Sequence, residues 1–141
     1  MRADARRRLT LIILARHGQT AANASGLLQG RTDLALTDLG QRQAAALGAG
    51  LGGAVQVVCS PLLRARQTAE GLGLDAPIRI DERWTELHYG ELDGRPVADV
   101  PAEVWDRWRT DTSFAPGGGE SIAECAWRVR QACEELMDEA K

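Results

Sequence analysis

The chain has 141 residues, 44% hydrophobic and 26% charged, which fits one ordinary soluble domain and excludes disordered and fibrous classes. A net charge of −3 argues against a general nucleic-acid partner. No apolar stretch approaches the roughly 18 residues of a membrane span.

Arg2, Arg6, Arg7 and Arg8 form a small basic arm over residues 1–8 that reads as a flexible terminus, not as a secretory signal. The run Leu9 to Ala15 is short, rich in Leu and Ile and without alternation, the pattern of a buried strand in a parallel sheet. It discharges into Arg16-His17-Gly18-Gln19-Thr20, where parallel sheets place their ligands. A guanidinium, an imidazole and a glycine in succession offer an anion clamp, a titratable nitrogen and a close backbone approach, and phosphate is the anion that fits them best.

Gly18 to Asp33 reads as a functional loop. Thr37 is placed to cap a helix from Asp38 to about Gly50, with Leu39, Ala46, Leu47 and Leu51 as its apolar positions. The formal G-x-G-x-x-G from Gly48 to Gly53 closes a helix and precedes a strand, the reverse of a dinucleotide fingerprint. Ala54 to Cys59 reads as the second strand, and Ser60-Pro61 as the cap and first residue of a helix that ends around Gly71 to Gly73 and carries Arg64 in its first turn. Arg64 thereby falls on the same side of the sheet as His17. Ile78 to Ile80 reads as an edge strand, so strands and helices alternate as in a parallel α/β sheet.

Asp81 to Gly94 is irregular and acidic. From residue 95 to 115 a separate flap is predicted, with Val100, Val104, Trp105 and Trp108 at helical spacing. Trp84, Trp105 and Trp108 read mainly as packing for that flap, and Trp105, Arg107, Trp108 and Arg109 are its candidates for touching a substrate. Pro116 to Gly119 is a tight loop, and Ser121 with Glu124 is a capping box that opens a final helix. The apolar face of that helix is Ile122, Cys125, Val129, Cys133, Leu136 and Met137. Three cysteines without metal-ligand spacing read as reduced thiols in the cytoplasm. No metal site is predicted.

Arg16-His17-Gly18-Gln19-Thr20-Ala21-Ala22-Asn23 resembles the RHGxTxxN signature of the histidine phosphatase superfamily, in its branch related to cofactor-dependent phosphoglycerate mutases. The resemblance runs through Gln29 to Asp33, Leu36 to Gly40, Ser60 to Ala65 with Gln67-Thr68-Ala69, the acid loop of Glu86 and Gly90 to Gly94, and Pro116 to Ser121. It implies a three-layer α/β sandwich, with a mainly parallel central sheet and helices on both faces, over residues 1–141 as one domain. It implies phosphomonoester hydrolysis with His17 as nucleophile, Glu86 as general acid and base, and Arg16, Asn23, Gln29, Gly30 and Arg64 around the phosphoryl group. No cofactor is implied, and the substrate is a small phosphorylated metabolite. His88 matches no catalytic position.

Members of that family carry a second active-site histidine after a later strand, and neither His17 nor His88 stands in that context. The expectation is therefore a chain lacking the family's later strand or strands, as a truncated product or as a partner-dependent or inactive relative. An open sheet position beside the His17 strand would leave the chain marginally stable and prone to self-association, as a possible homo-oligomer. Residues 95–115 are few for the enclosing insertion of the family's mutases, which favours a phosphatase. The alternatives are a non-catalytic phosphate-binding module and a phosphoglycerate mutase-type phosphotransferase.

Overall fold

The computed structural model describes residues 11–54 and 56–139. The predicted basic arm lies outside the described residues, as do Leu9, Thr10 and Val55, each part of a predicted strand. The elements in chain order are α1 (Ala21–Ala24), α2 (Asp38–Ala49), β1 (Val57–Cys59), α3 (Leu63–Gly71), β2 (Ile78–Ile80), α4 (Ala102–Thr110) and α5 (Ile122–Glu139). Single 3₁₀ turns stand at Glu82–Trp84, Gly90–Leu92, Val97–Asp99 and Pro116–Gly118. β1 and β2 pair in parallel, Val57 opposite Ile78 and Cys59 opposite Ile80, with α3 as the crossover that parallel pairing requires. The chain is therefore α/β with a parallel sheet, as its alternating pattern predicts.

The predicted strand from Leu9 to Ala15 is corrected. Residues 11–19 carry no strand, and none of the backbone groups of 11–17 has a backbone partner among the described residues. Leu11 and Leu14 are 78% and 76% exposed. An apolar run supplies the side chains of a buried strand, but it is the neighbouring strand that supplies the hydrogen bonds.

The cap of α2 is as predicted: Thr37 Oγ1 accepts from the Gly40 amide at 3.1 Å. Its packing face is not. Gly40, Ala44 and Gly48, at four-residue intervals, are the buried positions, whereas Leu39, Ala46 and Leu47 are exposed. The small residues bring backbones into contact: a Cβ on Gly48 would lie 1.8 Å from the Leu72 carbonyl oxygen, and one on Gly40 2.2 Å from that of Gln19. Gly48→Ala is expected to cost about 2 kcal/mol or more, because the obstacle is backbone at the end of α3 and no side chain can rotate away. Thermal unfolding should show a midpoint lowered by roughly 5 to 10 °C; an unchanged midpoint would mean that the two helices separate freely.

α3 begins two residues later than its Ser60-Pro61 signal. Ser60 Oγ accepts from the Leu62 amide, and the Leu63 amide donates to Asp33 Oδ1 at 2.6 Å, so a carboxylate thirty residues away sets the start. At α5 the capping box forms as read: the Ser121 amide donates to Glu124 Oε2 at 2.8 Å, and the Glu124 amide to Ser121 Oγ at 3.2 Å. Its apolar face is only half-buried, Ala132 being its one fully buried residue, and Met137 is exposed. Ion pairs of 2.8 Å from Arg79 to Glu139 and from Arg83 to Glu135 tie α5 to β2 and the turn after it.

Candidate active site

The segment after residue 15 is held from two sides. Gly18 passes so close to α2 that a Cβ there would meet the Gly40 carbonyl at 2.2 Å. From α3, the Thr68 hydroxyl accepts from the Gly18 amide at 3.1 Å and donates to the Arg64 carbonyl at 2.7 Å. His17 Nδ1 lies 2.7 Å from the Gly18 carbonyl. A proton on Nδ1 donates there and leaves the lone pair on Nε2. Burial lowers the pKa of this ring, as do the charges of Arg64 and Arg16, against opposing contributions from the Gly18 bond and Glu86. Neutral imidazole is accordingly the favoured form at pH 7.

Thr20 is completely buried and caps α1, its amide donating to Asn23 Oδ1 at 3.0 Å. Its hydroxyl, with one proton to donate, lies 2.6 Å from the Gln29 side-chain amide and 2.9 Å from Asn23 Oδ1, the oxygen that also takes the Thr20 amide. That leaves the Asn23 NH₂ group as a donor. Gln29 Nε2 is buried without a hydrogen-bond partner among the described residues, a costly arrangement unless an acceptor meets it.

Arg64, 1% exposed, donates through Nη1 to the Thr32 carbonyl at 3.1 Å and through Nη2 to the Gly30 carbonyl at 2.7 Å. Its remaining N–H groups, and all those of exposed Arg16, have no carboxylate within ion-pair distance among the described residues. The Gly30 amide is already committed to Asp93 Oδ1 at 2.7 Å, so Gly30 contributes its position and not a free donor. Asp93 also accepts from the Arg31 and Thr32 amides and the Thr32 hydroxyl at 2.9 to 3.0 Å. One carboxylate thus folds the loop that carries Gln29 against the turn after Gly90.

Burial alone would raise the Asp93 pKa, but the bonds from Gly30, Thr32 and Arg31 outweigh it and hold it below its ordinary value. A carboxylate whose folded pKa is depressed contributes stability that is complete above its unfolded pKa, about 3.9, and is lost as pH falls through the lower folded value. Asp93→Asn is expected to cost about 2 kcal/mol at pH 7 and to flatten the loss of stability below pH ~4. Thermal unfolding from pH 7 to pH 3 checks both; parallel pH curves for variant and wild type would dismiss this role.

Glu86 stands at the exposed rim, with one oxygen accepting from the Leu87 amide at 2.9 Å, and its charge acts on both His17 and Arg64. His17, Arg16, Arg64 and Glu86 therefore occupy one electrostatic neighbourhood. His88 is an exposed loop residue whose Nδ1 accepts from the Gly90 amide. Tyr89, its pKa pushed up by burial to about 12, packs on the flap: its ring centroid is 6.4 Å from Trp108, which meets Trp105 edge-on at 5.9 Å. Arg107 and Arg109 are engaged within the flap, with Phe114 and Asp111 and with Asp106. Thr68 and Asp93 fall within matched blocks, but their roles in positioning the site depend on contacts far apart in sequence. Among the described residues no group of His, Cys, Asp and Glu could hold a metal ion, and no helix is long and apolar enough to cross a membrane.

Known proteins resemble the chain over most of its length. The family model of the histidine phosphatase superfamily (branch 1) matches residues 12–141. A glucosyl-3-phosphoglycerate phosphatase of Mycobacterium tuberculosis is 37% identical over 133 residues, covering 89% of this chain and 60% of the relative. A probable phosphoglycerate mutase of Erwinia tasmaniensis is 36% identical over 136 residues, covering 89% and 62%. A solved mycobacterial glucosyl-3-phosphoglycerate phosphatase in complex with VO3 superposes with a TM-score of 0.79 at 37% identity, over 86% of this chain and 64% of that one. The chain thus spans about three fifths of the length of these relatives.

Proposed function

The chain belongs to the histidine phosphatase superfamily, and from that premise we propose that it hydrolyses phosphomonoesters through a phosphohistidine on His17, with Glu86 as acid and base. Nε2 of His17 attacks phosphorus as the bond to the ester oxygen breaks, and Glu86 gives that oxygen a proton. Water then attacks the phosphohistidine, yielding its proton to Glu86, and inorganic phosphate leaves with His17 regenerated. Arg16 and Arg64 take the nonbridging oxygens, with Asn23 and Gln29 as neutral donors beside them.

The observation that carries this reading is a half-buried imidazole, held neutral, within charge reach of Arg16 and Arg64, two arginines with no carboxylate at ion-pair distance among the described residues. A phosphoryl group answers both features, its oxygens meeting the arginines and its phosphorus the Nε2 lone pair. The VO3 in the related mycobacterial phosphatase is an oxyanion of that kind.

Hydrolysis is preferred to mutase chemistry because the flap is short. The substrate is a small phosphorylated metabolite of the cytoplasm, and a phosphorylated sugar acid is the first to try, given the relative named glucosyl-3-phosphoglycerate phosphatase. The second reading, a phosphate-binding module without turnover, is favoured by the exposed Glu86 carboxylate, which among the described residues is held only by its neighbour's amide. Phosphate release from p-nitrophenyl phosphate and a panel of sugar, sugar-acid and nucleotide monophosphates decides between them. Interconversion of phosphoglycerates without phosphate release overturns the hydrolase reading, and phosphate binding without any turnover supports the module.

A further inference from the structure

The Glu86 carboxylate has little holding it directly: it is exposed and, among the described residues, accepts one hydrogen bond, from its neighbour's amide. Its placement therefore depends on the backbone from Arg83 to His88, which has two grips outside the phosphate site. Glu120, at the end of the Pro116–Gly119 turn, donates its amide to the His88 carbonyl at 2.7 Å and accepts from the His88 amide at 3.3 Å. Arg128, in the second turn of α5, donates through Nη1 to the Arg83 carbonyl at 2.6 Å and reaches the Glu86 carbonyl through Nη2 at 3.5 Å. The two grips are joined by a forked ion pair, Arg128 Nε to Glu120 Oε1 at 2.7 Å and Nη2 to Oε2 at 2.8 Å, between two largely buried side chains.

The turn lies in backbone contact with the acid loop. A Cβ on Gly119 would lie 1.9 Å from the His88 carbonyl oxygen, and one on Gly117 2.2 Å from that of Tyr89. Arg31, next to Gly30, approaches the same Glu120 carboxylate at 3.7 Å, so the pair also touches the loop that carries Gln29.

We propose that the Arg128–Glu120 ion pair is a positioning device for Glu86, clamping both ends of the segment that presents the carboxyl to the leaving oxygen. The proposal rests on the phosphatase reading. Arg128 touches no reacting atom. Its influence reaches the chemistry through the Arg83, Glu86 and His88 backbone, and so falls on proton donation to the leaving group and not on phosphate capture.

The test uses leaving groups of different need. Nitrophenolate departs near neutral pH without a proton, whereas an alkoxide requires one. In Arg128→Gln, kcat/KM for glycerol phosphate is expected to fall about 100-fold and that for p-nitrophenyl phosphate to hold to within about threefold. Glu86→Gln should lose more on glycerol phosphate than on p-nitrophenyl phosphate, and adding Arg128→Gln to it should produce little further loss. Arg128→Lys, which keeps the charge but not the fork, should fall between. Equal losses on both substrates would make Arg128 merely structural and overturn the proposal.

A second measurement needs no turnover. Hydrogen exchange at the Leu87 and His88 amides should quicken at least about tenfold in Arg128→Gln while the buried face of α2 is unaffected, and unchanged exchange at those amides overturns the clamp. Lack of wild-type turnover on either substrate would count against the phosphatase reading alone, and the exchange result would then decide whether the clamp exists.

Discussion

Replacing His17 by alanine is expected to lower phosphomonoester turnover by about 10⁴-fold or more, since removal of a covalent nucleophile leaves only the binding contribution of the remaining site. Labelled substrate quenched during turnover should leave acid-labile phosphate on the wild-type chain and none on the variant. The pH dependence is a separate check. To attack, the His17 ring would have to be neutral, and burial with Arg64 and Arg16 nearby lowers its pKa, so the neutral fraction stays high at pH values where a free imidazole, with a pKa near 6.5, is already protonated. The acidic limb of kcat/KM attributable to His17 should lie below that value. A limb above it, or hydrolysis unaffected by the substitution, would remove His17 from the chemistry.

Arg64→Ala should strike folding and phosphate capture together. The guanidinium is enclosed and satisfies the Gly30 and Thr32 carbonyls, so its removal leaves acceptors unpaired and a cavity behind. A loss of about 3 to 5 kcal/mol is expected, from a domain whose stability is of order 5 to 15 kcal/mol. Denaturant unfolding measures it, and a loss under about 1 kcal/mol would contradict the structural part. In Arg64→Lys, where charge remains but the fork is gone, kcat/KM should fall roughly 100- to 1000-fold. Activity near that of wild type would show that this fork does not serve the phosphoryl group.

What could be read from the sequence follows how local each determinant is. The Thr37 cap and the Ser121–Glu124 box are three-residue devices, and both stand where their letters put them. α3 shows the opposite: Ser60-Pro61 is a sound local start, yet Asp33 resets it from another loop. The packing face of α2 was misread because leucines were weighted by hydrophobicity, while contact between backbones selected Gly40, Ala44 and Gly48. Leu11 to Leu14 have the composition of a buried strand, but composition carries no information about who pairs with it. In the candidate site, His17, Arg16, Arg64, Asn23, Gln29 and Glu86 are legible through matched blocks. The service of Thr68, Asp93, Glu120 and Arg128 to them is not, since each works across at least thirty residues of chain.

Arg64 and Thr68 stand one turn apart on α3, and Thr68 holds the amide beside His17. A tilt or slide of that helix therefore carries the guanidinium and the imidazole in the same direction. A near-attack geometry tolerates errors of well under an ångström. The shared mount on α3 would give Arg64 and His17 that registration in the proposed phosphoryl transfer.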